Sequence, residues 1–157
     1  ARTRPEFLAI GVDVMVQEQV SIMLQHLDLQ QAQSAFLLEE NSLVALPKMV
    51  EQGMRFDVLF LDGDHNYHTV SKELTFIDGL VEKGGLVVID DYEGRWSERD
   101  LWYAERPGYE NVAAVSTPVD TQKHGVKPAV DEWLSANSSW KKHAPVGGEP
   151  VILTRVT

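Results

Sequence analysis

Two stretches, Phe56-Asp-Val-Leu-Phe-Leu-Asp-Gly-Asp-His-Asn-Tyr67 and Gly84-Gly-Leu-Val-Val-Ile-Asp-Asp-Tyr92, decide how the chain is read. Each is a short run of aliphatic and aromatic residues that ends in acids, the pattern of a strand buried in a sheet and delivering polar groups to its edge. Between them, residues 68–83 carry apolar side chains at helical spacing, and Gly84-Gly85 reads as a helix stop. The segment is therefore predicted to be a strand, a crossover helix and a second, parallel strand.

The same alternation extends in both directions. Upstream, Phe7-Leu-Ala-Ile-Gly-Val-Asp13 reads as a strand, and residues 16–27 as a helix carrying Val16, Val20, Met23, Leu24 and Leu27. Residues 35–38 read as a second strand, with Asn41-Ser42 starting a helix that carries Leu43, Val44, Leu46, Met49 and Val50. Downstream, residues 92–107 lack periodicity and hold Trp96, Trp102 and Tyr103, the texture of a long loop or lid. A strand is expected over 111–115, then a helix over 126–134 with Pro128 in its first turn, where the missing N–H costs little. Residues 140–146 and 150–156 flank Gly147-Gly148 as an antiparallel hairpin. The predicted fold is α/β and Rossmann-like: a mostly parallel sheet, covered on both faces, that closes in an antiparallel hairpin.

With 157 residues and 43% hydrophobic content, a single domain over 1–157 is expected. The formal net charge of −10 opposes a nucleic-acid partner, and no basic cluster offsets it. There is no cysteine, which removes thiolate chemistry and leaves oxygen and imidazole as metal ligands. No apolar run approaches the roughly 18 residues that span a bilayer, and no signal-peptide pattern opens the chain, so a cytoplasmic protein without a membrane partner is expected.

In parallel α/β sheets, ligands bind beyond the carboxyl ends of the strands, where Asp13, Asp62, Asp64, Asp90 and Asp91 fall. Neighbouring strands lie about 4.8 Å apart, so Asp62 and Asp90 can share one ion, with Asp91 as a third carboxylate. Such a group repels itself unless a proton or a cation neutralises it. All-oxygen ligation favours Mg²⁺ or another hard divalent cation with positions open to substrate oxygens, and His65 or Asp64 would then remove a proton from a bound hydroxyl. Ordinary turn and N-cap chemistry is the competing explanation for each acid. His26, His68, His124 and His143 read as packing or surface residues; the loop aromatics line a pocket or form a core of their own.

The two quoted stretches resemble class I S-adenosylmethionine-dependent methyltransferases, in particular metal-dependent O-methyltransferases of sugars and other small natural-product hydroxyls. The resemblance implies Asp62, Asp90 and Asp91 as metal ligands, Asp62 also beside the cofactor, and Asp64 or His65 as general base. It also implies Asp13 as the acid on the cofactor ribose, Asn41 and Ser42 in the turn beside the adenine, and helix 126–134 with the hairpin as the closing elements. A small-molecule hydroxyl is the implied acceptor.

The family's glycine-rich turn after its first strand has no counterpart, so the fold is expected without the usual first strand–helix unit. In that case the strand at Phe7 packs beside the strand at Phe56, or a second copy covers the exposed edge, and S-adenosylmethionine binds weakly or not at all. Two other functions remain: a non-catalytic remnant serving binding or assembly, and phosphoryl transfer through Asp62-Gly-Asp64.

Overall fold

The computed structural model describes residues 7–26, 34–143 and 149–157. The expected alternation opens with β1 (Ala9–Asp13), α1 (Glu18–His26), β2 (Ala35–Glu39), α2 (Ser42–Glu51) and β3 (Phe56–Leu61). It continues with α3 (Tyr67–Leu74), α4 (Ile77–Leu80), β4 (Val81–Ile89), α5 (Val126–Ala136), β5 (Trp140–Lys142) and β6 (Val151–Arg155). β1 and β2 pair in parallel. β3 and β4 also run parallel, β6 adds antiparallel to β4, and β5 closes the sheet antiparallel to β6, giving the order β3-β4-β6-β5. The expected hairpin is present, with Gly147-Gly148 outside the described residues.

Alternation along the strands separates two sheet faces. Leu61, Val87, Ile89, Val151 and Leu153 turn to one side and join a core with Leu46, Met49, Leu74, Ile77, Leu80, Val126 and Val130 from the helices. On the other side Val58 and Phe60 are each 56% exposed, so the sheet is not covered on both faces as its apolar strands led one to expect. No helix among the described residues is long and apolar enough to cross a membrane.

Three other expectations are corrected. The helix over 68–83 breaks after Leu74 and resumes as α4, and β4 already begins at Val81, which is fully buried and pairs with Phe56. Gly84-Gly85 is thus no helix stop; it lies in a bulge where the register jumps from Phe56↔Val81 to Val58↔Leu86. Gly84 adopts φ 84°, and a Cβ on Gly85 would stand 2.9 Å from the Asp57 carbonyl oxygen, so the bulge requires both glycines. Residues 111–115 form turns, with the Val112 and Val115 N–H groups bonding back three residues to Tyr109 and Val112.

The third correction concerns the strand at Phe7. It does not pack against β3: β1 pairs with β2, and no described strand joins β1 to β3. α2 touches both β1 and α3 and so lies between the two sheets. A cavity of about 530 Å³ opens between them, lined by residues of β1 on one wall and β3 on the other.

Candidate functional site

The acids at the ends of β3 and β4 converge because their pairing runs to the last residue. The Asp90 N–H donates to the Leu61 carbonyl at 3.0 Å, which sets Asp90 beside Asp62. Asp62, His65 and Asp90 each offer a ligand atom, all within 4.8 Å of one another. Burial, then repulsion from Asp90, pushes the Asp62 carboxyl above its ordinary range, while His65 eases it. His65 is 7% exposed and lies between two acids, Nε2 3.5 Å from Asp62 Oδ1 and Nδ1 3.3 Å from Asp91 Oδ2. Asp91 holds φ 55°, rare for a residue with a side chain, and its carboxylate faces the imidazole.

The remaining sequence candidates sit around the cavity. Asp13 ends β1, lines the cavity and accepts the Met15 N–H at 3.0 Å. Asn41 caps α2 by accepting the Leu43 N–H at 2.8 Å, and its amide donates to the Ala114 carbonyl and the Ser116 hydroxyl. Ser42 opens α2 on the same wall. Asp64 is turned to the loop after β4 and accepts the Tyr103 N–H at 2.8 Å; burial raises its pKa against that bond.

The loop aromatics divide. Tyr103 and Tyr109 line the cavity, Trp102 is buried with its ring 6.2 Å from that of His68, and Trp96 lies beneath the guanidinium groups of Arg95 and Arg99.

Three polar residues of this region were not candidates from sequence. Asn66, fully buried, caps α3 through the Thr69 N–H and donates to the Leu101 carbonyl. Glu73 is buried in α3 and lines the cavity. Asp100 joins three elements: Oδ1 accepts the Tyr67 N–H at 2.9 Å and the Gly125 N–H at 2.7 Å, and Oδ2 meets His124 Nδ1 at 2.7 Å. Replacing Asp100 by alanine strands both N–H groups, for an expected loss of about 2–4 kcal/mol. A denaturant midpoint within error of the wild type would refute this.

The charge of the cavity wall is one-sided. Asp13, Glu40, Asp62, Asp64 and Glu73 line it, and among the described residues no Lys, Arg or His does. Such a wall repels polyanions such as phosphates and suits a ligand of neutral or positive net charge that brings its own N–H and O–H donors.

A family model described as a methyltransferase domain matches residues 9–92. An uncharacterized protein of Acanthamoeba polyphaga mimivirus is 48% identical over 42 residues, which make up 26% of this chain and 19% of that protein. Among solved structures, MycE methyltransferase of the mycinamycin biosynthetic pathway, in complex with Mg, SAH and mycinamycin VI, superposes with a TM-score of 0.55 at 15% identity, over 95% of this chain and 36% of MycE. A Clostridium thermocellum protein whose name assigns it to rRNA methylation gives 0.54 at 12% identity, over 96% and 73%. The O-methyltransferase TomG from Streptomyces achromogenes, in complex with SAM, gives 0.50 at 15% identity, over 98% and 64%. At these identities the solved structures share the fold, and the chain spans about a third of MycE and a fifth of the viral protein.

Proposed function

The chain belongs to the methyltransferase-domain family, and from that premise we propose that it serves S-adenosylmethionine-dependent, cation-assisted O-methylation of a small-molecule hydroxyl. The observation that carries the reading is the cavity wall of five acids with no cationic side chain among the described residues, which suits a nucleoside bearing a sulfonium and opposes phosphate-bearing cofactors. It likewise disfavours phosphoryl transfer through Asp62-Gly-Asp64, and a polynucleotide acceptor sits poorly with a net charge of −10.

The donor set fits both groups. Asp62 and Asp90, with His65 beside them and Asp91 adding charge behind the ring, suit a hard divalent cation, and burial with repulsion from Asp90 raises the pKa of Asp62 against the easing effect of His65. Asp13, Asn41, Ser42 and Asp62 line the wall on which the nucleoside would rest. When bound, the cation lowers the pKa of the acceptor hydroxyl. S-adenosylmethionine, held by Asp13, Asn41, Ser42 and Asp62, would supply the methyl group.

The chain's own residues would hold the reactants and accept the proton. His65 would receive it at Nε2, and Asp91, 3.3 Å from Nδ1, would orient the ring. Asp64, tied to the Tyr103 N–H, is less free to do so. Asp13 would accept from the ribose diol. The open edge of β3 favours a second copy of the chain as partner. The competing non-catalytic reading draws on the unfilled space between β1 and β3.

Calorimetric titration with S-adenosylmethionine and its demethylated product, with and without Mg²⁺, tests the proposal. Asp13→Ala should weaken nucleoside binding by roughly 1.5–3 kcal/mol, the value of a charge-assisted hydrogen bond. Equal binding by Asp13→Ala would remove Asp13 from the site, and no binding under any condition would favour the non-catalytic reading.

A further inference from the structure

Glu73 is the one acid of the cavity wall that does not belong to a strand end or the loop after it. It lies inside α3, is 3% exposed, and faces the cavity between the loops that follow β2 and β3. Its carboxyl hydrogen-bonds the Ser42 side chain at the start of α2, and Oε1 lies 3.9 Å from where a Cβ on Gly63 would stand. No described Lys, Arg or His forms an ion pair with it.

A carboxyl buried without a cation is costly to the fold, and a leucine between Val70, Leu74 and the core would avoid that cost. Burial pushes Glu73 up to about 7, with Asp64 the ionisable group facing it; α2 presents only Ser42, Leu46 and Met49 to the cavity. One turn earlier in α3, Thr69 is 1% exposed and lines the same region, with Asp64 as the polar neighbour of its hydroxyl. Two buried polar groups beside apolar walls from Leu46, Met49 and Leu59 form a receptor for a flat ring with a polar edge.

We propose that Glu73 is a specificity-determining residue that hydrogen-bonds the amine-bearing edge of the ligand's heterocyclic base, a deepening that rests on the nucleoside reading above. One carboxyl oxygen accepts the exocyclic N–H. In the protonated acid the hydroxyl also donates to the adjacent ring nitrogen, so that both positions of a 6-aminopurine edge are met. The glutamate is then retained for recognition at the expense of stability.

Adenosine and purine riboside, which lacks only the amine, separate the two roles in ligand-observed NMR titrations of the full chain. The wild type should prefer adenosine by roughly tenfold, the value of one well-made hydrogen bond. Glu73→Leu should bring the two nucleosides within about twofold of each other and melt higher than the wild type, because the buried carboxyl is gone. Glu73→Gln should keep the preference; the wild type should lose affinity for both nucleosides alike as pH rises through about 7, where the acid loses the proton it gives to the ring nitrogen, and the glutamine should remove that decline. A preference that survives in Glu73→Leu would overturn the inference while leaving the nucleoside reading intact. Failure of the wild type to bind either nucleoside would overturn both. If Glu73→Leu does not fold, a wild-type affinity for adenosine with the same pH profile as that of Glu73→Gln would still overturn it.

Discussion

Replacing Asp90 with alanine should abolish the rise in melting temperature that millimolar Mg²⁺ or Mn²⁺ produces in the wild-type chain. A cation that binds only the folded state stabilises it by about 2.7 kcal/mol at a hundred times its dissociation constant. In a domain of this size that is an increase on the order of 5–10 °C. Asp62 and Asp90 bring carboxylate oxygens within 4.8 Å of each other, and loss of one carboxylate leaves an incomplete set. Without metal the sign differs: Asp90 repels Asp62, so removing it relieves that repulsion, and Asp90→Ala should melt no lower than the wild type in chelator. This pairing of an intact apo fold with a lost metal response separates a site from a structural cluster. An unchanged wild-type melting curve at millimolar metal, or a response that persists in Asp90→Ala, would refute the cation site.

Much of that site could be read from sequence because it depends on local patterns. Phe56–Leu61 ends in Asp62, the strand through Ile89 ends in Asp90 and Asp91, and one crossover makes the two strands neighbours. Sequence spacing does not show side-chain direction, and so it missed that Asp91 faces His65 and Asp64 faces the Tyr103 N–H. Asp100 could not be found this way: its partners Tyr67 and Gly125 lie 33 and 25 residues away, and only the folded loop brings them to one carboxylate. Glu73 could have been found, since Thr69, Val70, Glu73, Leu74 and Ile77 fall at the spacing of one buried helical face. The helix break before Ile77 and the early start of β4 were hidden because residues 75–83 mix apolar and charged side chains without a proline, and a glycine pair marks a bulge as readily as a stop.

The chain should self-associate, and association should strengthen with salt. Among the described strands β3 pairs on one side only, with β4, and its other edge faces the cavity between β1 and β3. Beside that edge Val58 and Phe60 are each 56% exposed, and Leu8 and Phe36 on the opposite strand pair are 55% and 50% exposed. An unpaired edge with apolar side chains is a template for a further strand. Against this stands the net charge of −10, which makes copies repel at low ionic strength. Raising salt from about 0.01 to 0.15 M shortens the screening length from about 30 to about 8 Å, so repulsion falls while apolar burial persists. Ion-pair assembly would show the opposite dependence. Light scattering should therefore report a mass that grows with protein concentration and with salt. Val58→Lys with Phe60→Lys should shift the chain towards monomer with little change in melting temperature, because both side chains are already largely in water. A monomer at every concentration and salt would show that the free β3 edge is not a site of self-association, and a mass that falls with salt would assign the contact to charge.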